Sequence, residues 1–294
     1  MGKVNRGFNQ VALNGSVGAV TYVTRKGVTI ARQKVPAKSA ARKTLRSQTQ
    51  RMKWVNNIRI FQALNTVGWH PSFTNKQGLQ SDYNMFIKTN SMIDVYLPKA
   101  VVDANGGLVA PVTITNGILP SVGGSFGDSG VFVTPIKMGG ITIGASTTIK
   151  TFSEAIINNN PDWAAGDQLT IVRLLQVQDE GTGVPRIKAD LRQLYLDPDD
   201  ELTLLDDLTG YLSVANGKLQ VAGGNNVSCA VVHSRGEGAD YAVSTETISV
   251  QNNLLTAYQG TQALNNAIAS YGGLSISQYL VPELSDNGSI YTEP

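Results

Sequence analysis

Apolar positions along the chain follow two different periods, and the change from one to the other organises the sequence. Over residues 16–34, SVGAVTYVTRKGVTIARQK, Val17, Val20 and Tyr22 are interleaved with small or polar residues. Arg25-Lys26-Gly27 then supplies a turn, and Val28 and Ile30 lead a return strand. This is the pattern of a β-hairpin, which Pro36 ends because it brings no backbone N–H to a ladder. From 39 to 67 the spacing becomes helical. At about 100° per residue Arg42, Arg46 and Lys53 fall within one narrow sector with Lys43 on its flank, while Leu45 and Met52 lie to its other side. The second half of the segment (Trp54, Val55, Ile58, Phe61, Leu64) is apolar around much of its circumference. It predicts a helix whose first half is exposed and basic and whose second half is packed among neighbours. After a turn over 68–75, Tyr83, Phe86 and Ile87 recur at three- and four-residue spacing and predict a second, short helix.

The character changes at about 94–98. Eight short β-rich runs follow between Leu108 and Val250, among them ITIGAST, DQLTIVRLLQV, YLSVANGKLQVA and VSCAVVHSR, separated by Gly, Asn and Asp. Such spacing suits an antiparallel sandwich or barrel. Helical interruptions are expected near TFSEAIINN and near DPDDELTLLDD, where Asp199 or Asp200 reads as the cap of a helix. The segment LLTAYQGTQALNNAIASYGG is amphipathic enough for a helix, and the polar, aromatic-bearing stretch after it reads as an arm onto a neighbour. The expected fold class is α+β in three parts. A β-hairpin with helices (1–98) precedes an antiparallel immunoglobulin-like β-sandwich (99–252), and a helical tail (253–294) completes the chain.

Charge changes the picture more than composition does. Lys and Arg occupy fourteen of the first 81 positions, and the first carboxylate is Asp82. The other 213 residues carry ten Lys or Arg against twenty-two Asp or Glu, so a total of +2 hides an end of +14 and a remainder of −12. The basic end is expected to seek polyanions or the acidic face of a neighbouring subunit, with plain solvation as the dull alternative. Arg25, Lys26, Arg42, Lys43, Arg46 and Lys53 are the residues named for that contact. No zinc finger, RNA-recognition signature or basic zipper accompanies them, which argues against base-specific reading. A lone Cys229 excludes an intramolecular disulfide, and no apolar run approaches membrane-spanning length. The expected setting is a reducing, cytoplasmic one, with no membrane contact.

Candidate chemistry is sparse. Gly127-Asp128-Ser129-Gly130 matches the residues around the nucleophile of chymotrypsin-like proteases, but only His70 and His233 exist to serve as base, and Asp and Gly favour turns anyway. Cys229 and His233 lie four apart on an expected strand and project to one face. A nucleophile pair is one reading; a buried Cys and a surface His is the other. The acidic run from Asp197 to Asp207 lacks the Gly and closing Glu of a calcium loop. Trp54, Trp69 and Trp163 read as packing residues, with base stacking by Trp54 as the alternative. No catalytic residue, cofactor or metal is assigned.

The first ninety residues carry a resemblance. Gly15-Ser16-Val17-Gly18, Val20-Thr21-Tyr22, Arg25-Lys26-Gly27 and Ala31-Arg32 resemble the opening hairpin of a family of unknown function found in Bacteroidetes and in phages or prophages of that group. The stretch TLRSQTQRMKW resembles its Thr-x-x-Gln helix, and SDYNMFIKTN, VDANGGLVAPVTITNGILPSV, AGDQLTIVRLLQV and VSCAVVHSR resemble later segments. The resemblance spans about 10–250. It implies no enzymatic residues. It implies a phage virion structural protein: a ring, connector or tail component, assembled in the bacterial cytoplasm. Its partners would be copies of itself in a homo-oligomer, other virion proteins, and DNA or an acidic subunit at the basic face. A stand-alone, sequence-nonspecific nucleic-acid-binding protein is the alternative.

Overall fold

The computed structural model describes residues 2–4, 15–17, 20–25, 28–33, 45–204, 206–224 and 226–271. They form a mixed α+β fold with several antiparallel sheets. The first sheet joins β1 (Gly2–Val4), β2 (Gly15–Val17), β3 (Val20–Arg25) and β4 (Val28–Gln33) in the order β1-β4-β3-β2. The expected hairpin is the β3–β4 pair, in register from Arg25↔Val28 to Val20↔Gln33. The Thr24 and Thr29 hydroxyls meet at 2.8 Å across that pair. The hairpin's turn residues Lys26 and Gly27 lie outside the described residues. None of the hydrophobic cores takes a described residue from this sheet.

Helix α1 (Leu45–Thr66) follows, and the part of the expected helix before it lies outside the described residues. Next come β5 (Ser72–Phe73) and α2 (Asp82–Thr89). The Ser81 hydroxyl caps α2 by accepting the Asn84 N–H at 3.2 Å, and Asp82 and Lys88 sit at the ends that suit the helix dipole. The chain continues through α3 (Lys99–Asp103), β6 (Thr113–Asn116), β7 (Ser125–Phe126), β8 (Phe132–Lys137) and α4 (Ile149–Asn159), capped by Thr148. A long hairpin, β9 (Gln168–Gln178) with β10 (Pro185–Tyr195), comes next. It is followed by the single-turn α5 (Asp206–Thr209), then β11 (Leu212–Ala215) and β12 (Lys218–Val221). Asn216 and Gly217 take φ of 53° and 70° between those last two strands, the left-handed pair that a tight hairpin turn demands. The described chain closes with β13 (Val227–Arg235), the short β14 (Ala242–Val243), β15 (Glu246–Thr247) and β16 (Ser249–Val250), and α6 (Gly260–Ser270).

The central sheet has the order β10-β9-β13, with β14 and β16 pairing to opposite ends of β13. Its two faces bury different residues, as the two-residue period of a strand requires. Leu169, Ile171, Cys229 and Val231 join one core with Phe132, Phe152, Ile156 and Leu219. That core is shared with the sheet β11-β12-β8-β7 and with α4. Val172, Leu174, Ala230 and Val232 join a second core with Ile60, Leu64, Phe73, Phe86, Leu108 and Ile114. There α1, α2 and the small sheet β15-β6-β5 cover the opposite face. Burial on both sides explains why β9 and β13 read as nearly continuous apolar runs rather than alternating ones. Met52 and Tyr96 meet Ala263, Ala267 and Ile268 in a third cluster that pins α6 to α1.

Two expectations are corrected. ITIGAST forms no strand; its turn is closed by the Thr147 hydroxyl accepting the Gly144 N–H, while Ile141 and Ile143 pack against the first core. Asp199 and Asp200 cap no helix. The Asp197 and Asp200 carboxylates instead accept the Asp199 and Leu202 N–H groups at 2.9 Å, local bonds that compete with helix formation. YLSVANGKLQVA, expected as a β-rich run, is the β11–β12 hairpin.

Candidate functional site

The basic end supplies the first candidate. Arg25 ends β3 opposite Val28, and Arg46 falls in the first turn of α1. Lys26, Arg42 and Lys43 lie outside the described residues. Lys53 is held inside the fold: its ammonium reaches Asp94 Oδ1 at 2.5 Å and lies 5.9 Å from the centre of the Tyr96 ring. Burial first, and the Asp94 carboxylate second, push the Tyr96 hydroxyl up to about 12. Lys53 thus has an acidic partner from its own chain. Lys76 and Lys99 do too, pairing with Asp82 and Asp103.

Further along the same helix, Arg51 and Trp54 face solvent, Trp54 at 46% exposure. Trp54 is therefore a surface residue, not the packing residue its neighbours suggested. It lines a groove of about 560 Å³ between α1 and α2, together with Ile58, Tyr83, Ile87 and Lys88. Tyr83 is fixed by an edge-on contact with Phe61, the ring centres 5.0 Å apart. The buried side of α1 carries two asparagines that no apolar periodicity announces. Asn56 bonds both the N–H and the carbonyl of Leu108, and Asn57 donates to the Asn90 carbonyl.

The second candidate is polar and buried. His233 is 1% exposed, so the surface position expected for it is corrected. Its place near the end of β13 is covered by the turn before β9, where Trp163 stacks on the imidazole with ring centres 3.9 Å apart. His233 Nε2 lies 2.8 Å from Asp167 Oδ2; a carboxylate can only accept, so the proton sits on Nε2. Arg235 Nε and Nη2 reach the same carboxylate at 2.6 and 2.7 Å, and the Ala164 N–H adds a fourth bond at 2.8 Å. Burial alone would raise the Asp167 carboxyl, but Arg235, the Ala164 N–H and His233 outweigh it and hold the group below its usual value. For His233 burial wins over the Asp167 carboxylate, and the imidazole is held neutral below its usual value. A cleft of about 190 Å³ borders Trp163 and His233, with Ser121, Lys137 and Asn160 on its walls.

The remaining sequence candidates are placed separately. Cys229 shares the His233 side of β13 but is fully buried, and burial pushes its thiol far above the usual range, which leaves it a poor nucleophile. Ser129 is exposed in the β7–β8 turn, which is closed by Gly127 N–H to the Val131 carbonyl at 3.0 Å. His233 is committed to Asp167, and His70 Nδ1 lies 2.8 Å from Asn65 Oδ1. Glu246, 2% exposed, accepts the N–H groups of Val122 and Gly123 at 2.6 and 3.0 Å, yet burial still raises its carboxyl. Among the described residues no group of three or more potential metal ligands forms, and no helix is long and apolar enough to cross a membrane. Comparison with family models, curated proteins and solved structures finds no match for this chain.

Proposed function

We propose that the chain is a non-enzymatic bacteriophage virion structural or assembly protein, a ring, connector or tail component made of many copies. The observation that carries this reading is the separation of charge: fourteen cations before the first carboxylate, and an acidic remainder. A basic end of one copy and an acidic body of the next attract one another, and the same end suits packaged DNA. The N-terminal sheet supports the reading because it gives no described residue to the cores, as an arm that contacts something else would. The two antiparallel sheets around the α4 core serve here as the immunoglobulin-like block from which the assembly is built. In this proposal the chain works in the virion and is assembled in the bacterial cytoplasm. The family resemblance of the first ninety residues belongs to the same proposal.

Mass spectrometry of purified particles tests it directly, and absence of the chain from them would end it. Charge neutralisation tests the basic face: changing Arg42, Lys43 and Arg46 to Gln, and leaving Lys53 in its pair with Asp94, is expected to weaken binding to DNA or partner at low salt. If the partner is DNA, the salt slope becomes shallower by about 0.9 for each phosphate that is no longer neutralised. Stand-alone, sequence-nonspecific nucleic-acid binding is the second reading, favoured by Trp54 exposed on the same helix as Arg51. Its mark is salt-sensitive DNA binding by a monomer that Trp54→Ala weakens.

A further inference from the structure

The central sheet ends in an open edge. β10 is its outer strand, eleven residues long, about twice the usual strand length. Its ladder with β9 runs unbroken from Pro185↔Gln178 to Tyr195↔Gln168. In such a ladder each residue turns its N–H and C=O to one side, and successive residues alternate. The Gly107 N–H reaches the Pro185 carbonyl at 2.9 Å from outside the sheet, which identifies the outward set. Ile187, Ala189, Leu191, Gln193 and Tyr195 therefore direct their backbone groups away from β9. Arg192 Nη1 bonds the Leu191 carbonyl, and among the described residues no strand pairs with this row. A long unpaired edge is a template for another strand.

The surroundings specify what fits. Ile187, Ala189 and Leu191 lie against the second core, and a cleft of about 240 Å³ opens beside Ile187, Gly107, Ala63 and Arg59. An added strand with alternate apolar residues would extend that core and fill the cleft. The other face of β10 carries Arg186, Lys188 and Arg192, of which Arg186 pairs with Asp179 and Arg192 with Asp190. The described chain also stops nearby. α6 docks on α3 through the Lys99 N–H and the Ser270 hydroxyl at 2.8 Å. Burial first, and the Asp103 carboxylate second, raise the hydroxyl of Tyr271 just after α6. Asp103 leads within four residues to Gly107, which touches the head of β10.

After Tyr271 the sequence reads Gly-Gly, then Leu274-Ser275-Ile276-Ser277, an alternating pattern, then Gln278 to Val281, with Pro282 as a strand stop. Glu283, Asp286 and Glu293 follow, and residues 272–294 hold no Lys or Arg. A strand from a neighbouring copy can meet the edge antiparallel, the more stable ladder.

We propose that residues 274–281 of a neighbouring copy add as a strand to the free edge of β10 and so join the copies. This rests on the assembly reading above and gives that reading its contact. The test uses the isolated protein, with no particle or DNA present, so the two can fail separately. Sedimentation equilibrium and amide hydrogen exchange are compared for the full chain, a chain ending at Tyr271, and full-length Ile276→Pro. The full chain is expected to exceed the 31.3 kDa monomer and to protect the amides of Ile187, Ala189, Leu191 and Gln193. Both altered forms are expected to be monomeric, with those amides exchanging freely. A peptide of residues 274–286 restores protection to the shortened chain, and the same peptide with Ile276→Pro does not. Association that survives in both altered forms overturns the proposal, as does a monomeric full chain. Edge protection in a monomer overturns the exchange between copies.

Discussion

Replacing Asp167 by Ala removes the acceptor on which four donors converge: Ala164 N–H, His233 Nε2, and Arg235 Nε and Nη2. Stranding one partner of a buried ion pair costs about 3–5 kcal/mol. Here the upper end is discounted, because the Arg235 side chain is 44% exposed and its guanidinium can turn to water. The Ala164 N–H and the His233 ring have less recourse, and each unmet buried donor costs about 1–3 kcal/mol. The expected loss is about 3 kcal/mol for Asp167→Ala. Asp167→Asn, which keeps one acceptor and lets the imidazole change tautomer, loses about 2 kcal/mol. Urea unfolding at pH 8 reads both losses as lowered midpoints at unchanged slope.

The same site fixes a pH dependence. Asp167 and His233 both have folded pKa values below their ordinary ones, so the unfolded chain binds more protons and stability rises with pH. The His233 contribution is complete above its ordinary 6.5 and is lost as pH falls below it; that of Asp167 is lost below its ordinary 3.8. Glu246 acts in the opposite sense: its raised carboxyl keeps a proton above the ordinary 4.5, so its share declines as pH rises from there. His233→Gln is expected to flatten the curve just below 6.5 and to leave the Glu246 region in place. An Asp167→Ala midpoint within error of the wild type at pH 8 would refute the reasoning.

Asn56→Ala leaves the Leu108 N–H and carbonyl without partners in the core, and a loss of about 2–4 kcal/mol is expected in the same urea assay. Cys229 is expected to resist maleimide labelling in the native protein and to label fully in denaturant, because its thiol is both buried and held protonated. Labelling at the rate of a free thiol under native conditions would show that β13 is exposed.

The elements legible in the sequence are those whose apolar period is regular. The β3–β4 hairpin, α2, α4, and the long β9 and β10 strands all follow from spacing. What misled was polarity. Asp197 and Asp200 suggested a helix start, yet their carboxylates bond the backbone locally. His233 sits at the end of an apolar run beside Ser234 and Arg235, which suggested a surface. Its burial depends on Asp167 and Trp163, brought in from a distant turn, and no local spacing announces such a meeting. Asn56 and Asn57 look like an interruption of the apolar face of α1 until their partners in other segments are seen. The basic end was plain from charge alone. That Lys53 spends its charge on Asp94 was not, since the two are far apart in the chain.

The sandwiching of β13 sets a timetable for biosynthesis. α1 leaves the ribosome long before the strand whose Ala230 and Val232 complete its core. At ~5–20 residues per second that delay is on the order of ten seconds or more. Throughout it, Ile60, Leu64 and Phe86 lack the strand that seals them, so nascent chains are expected to lean on chaperones. A stop codon anywhere before β13 leaves neither of the two large cores whole.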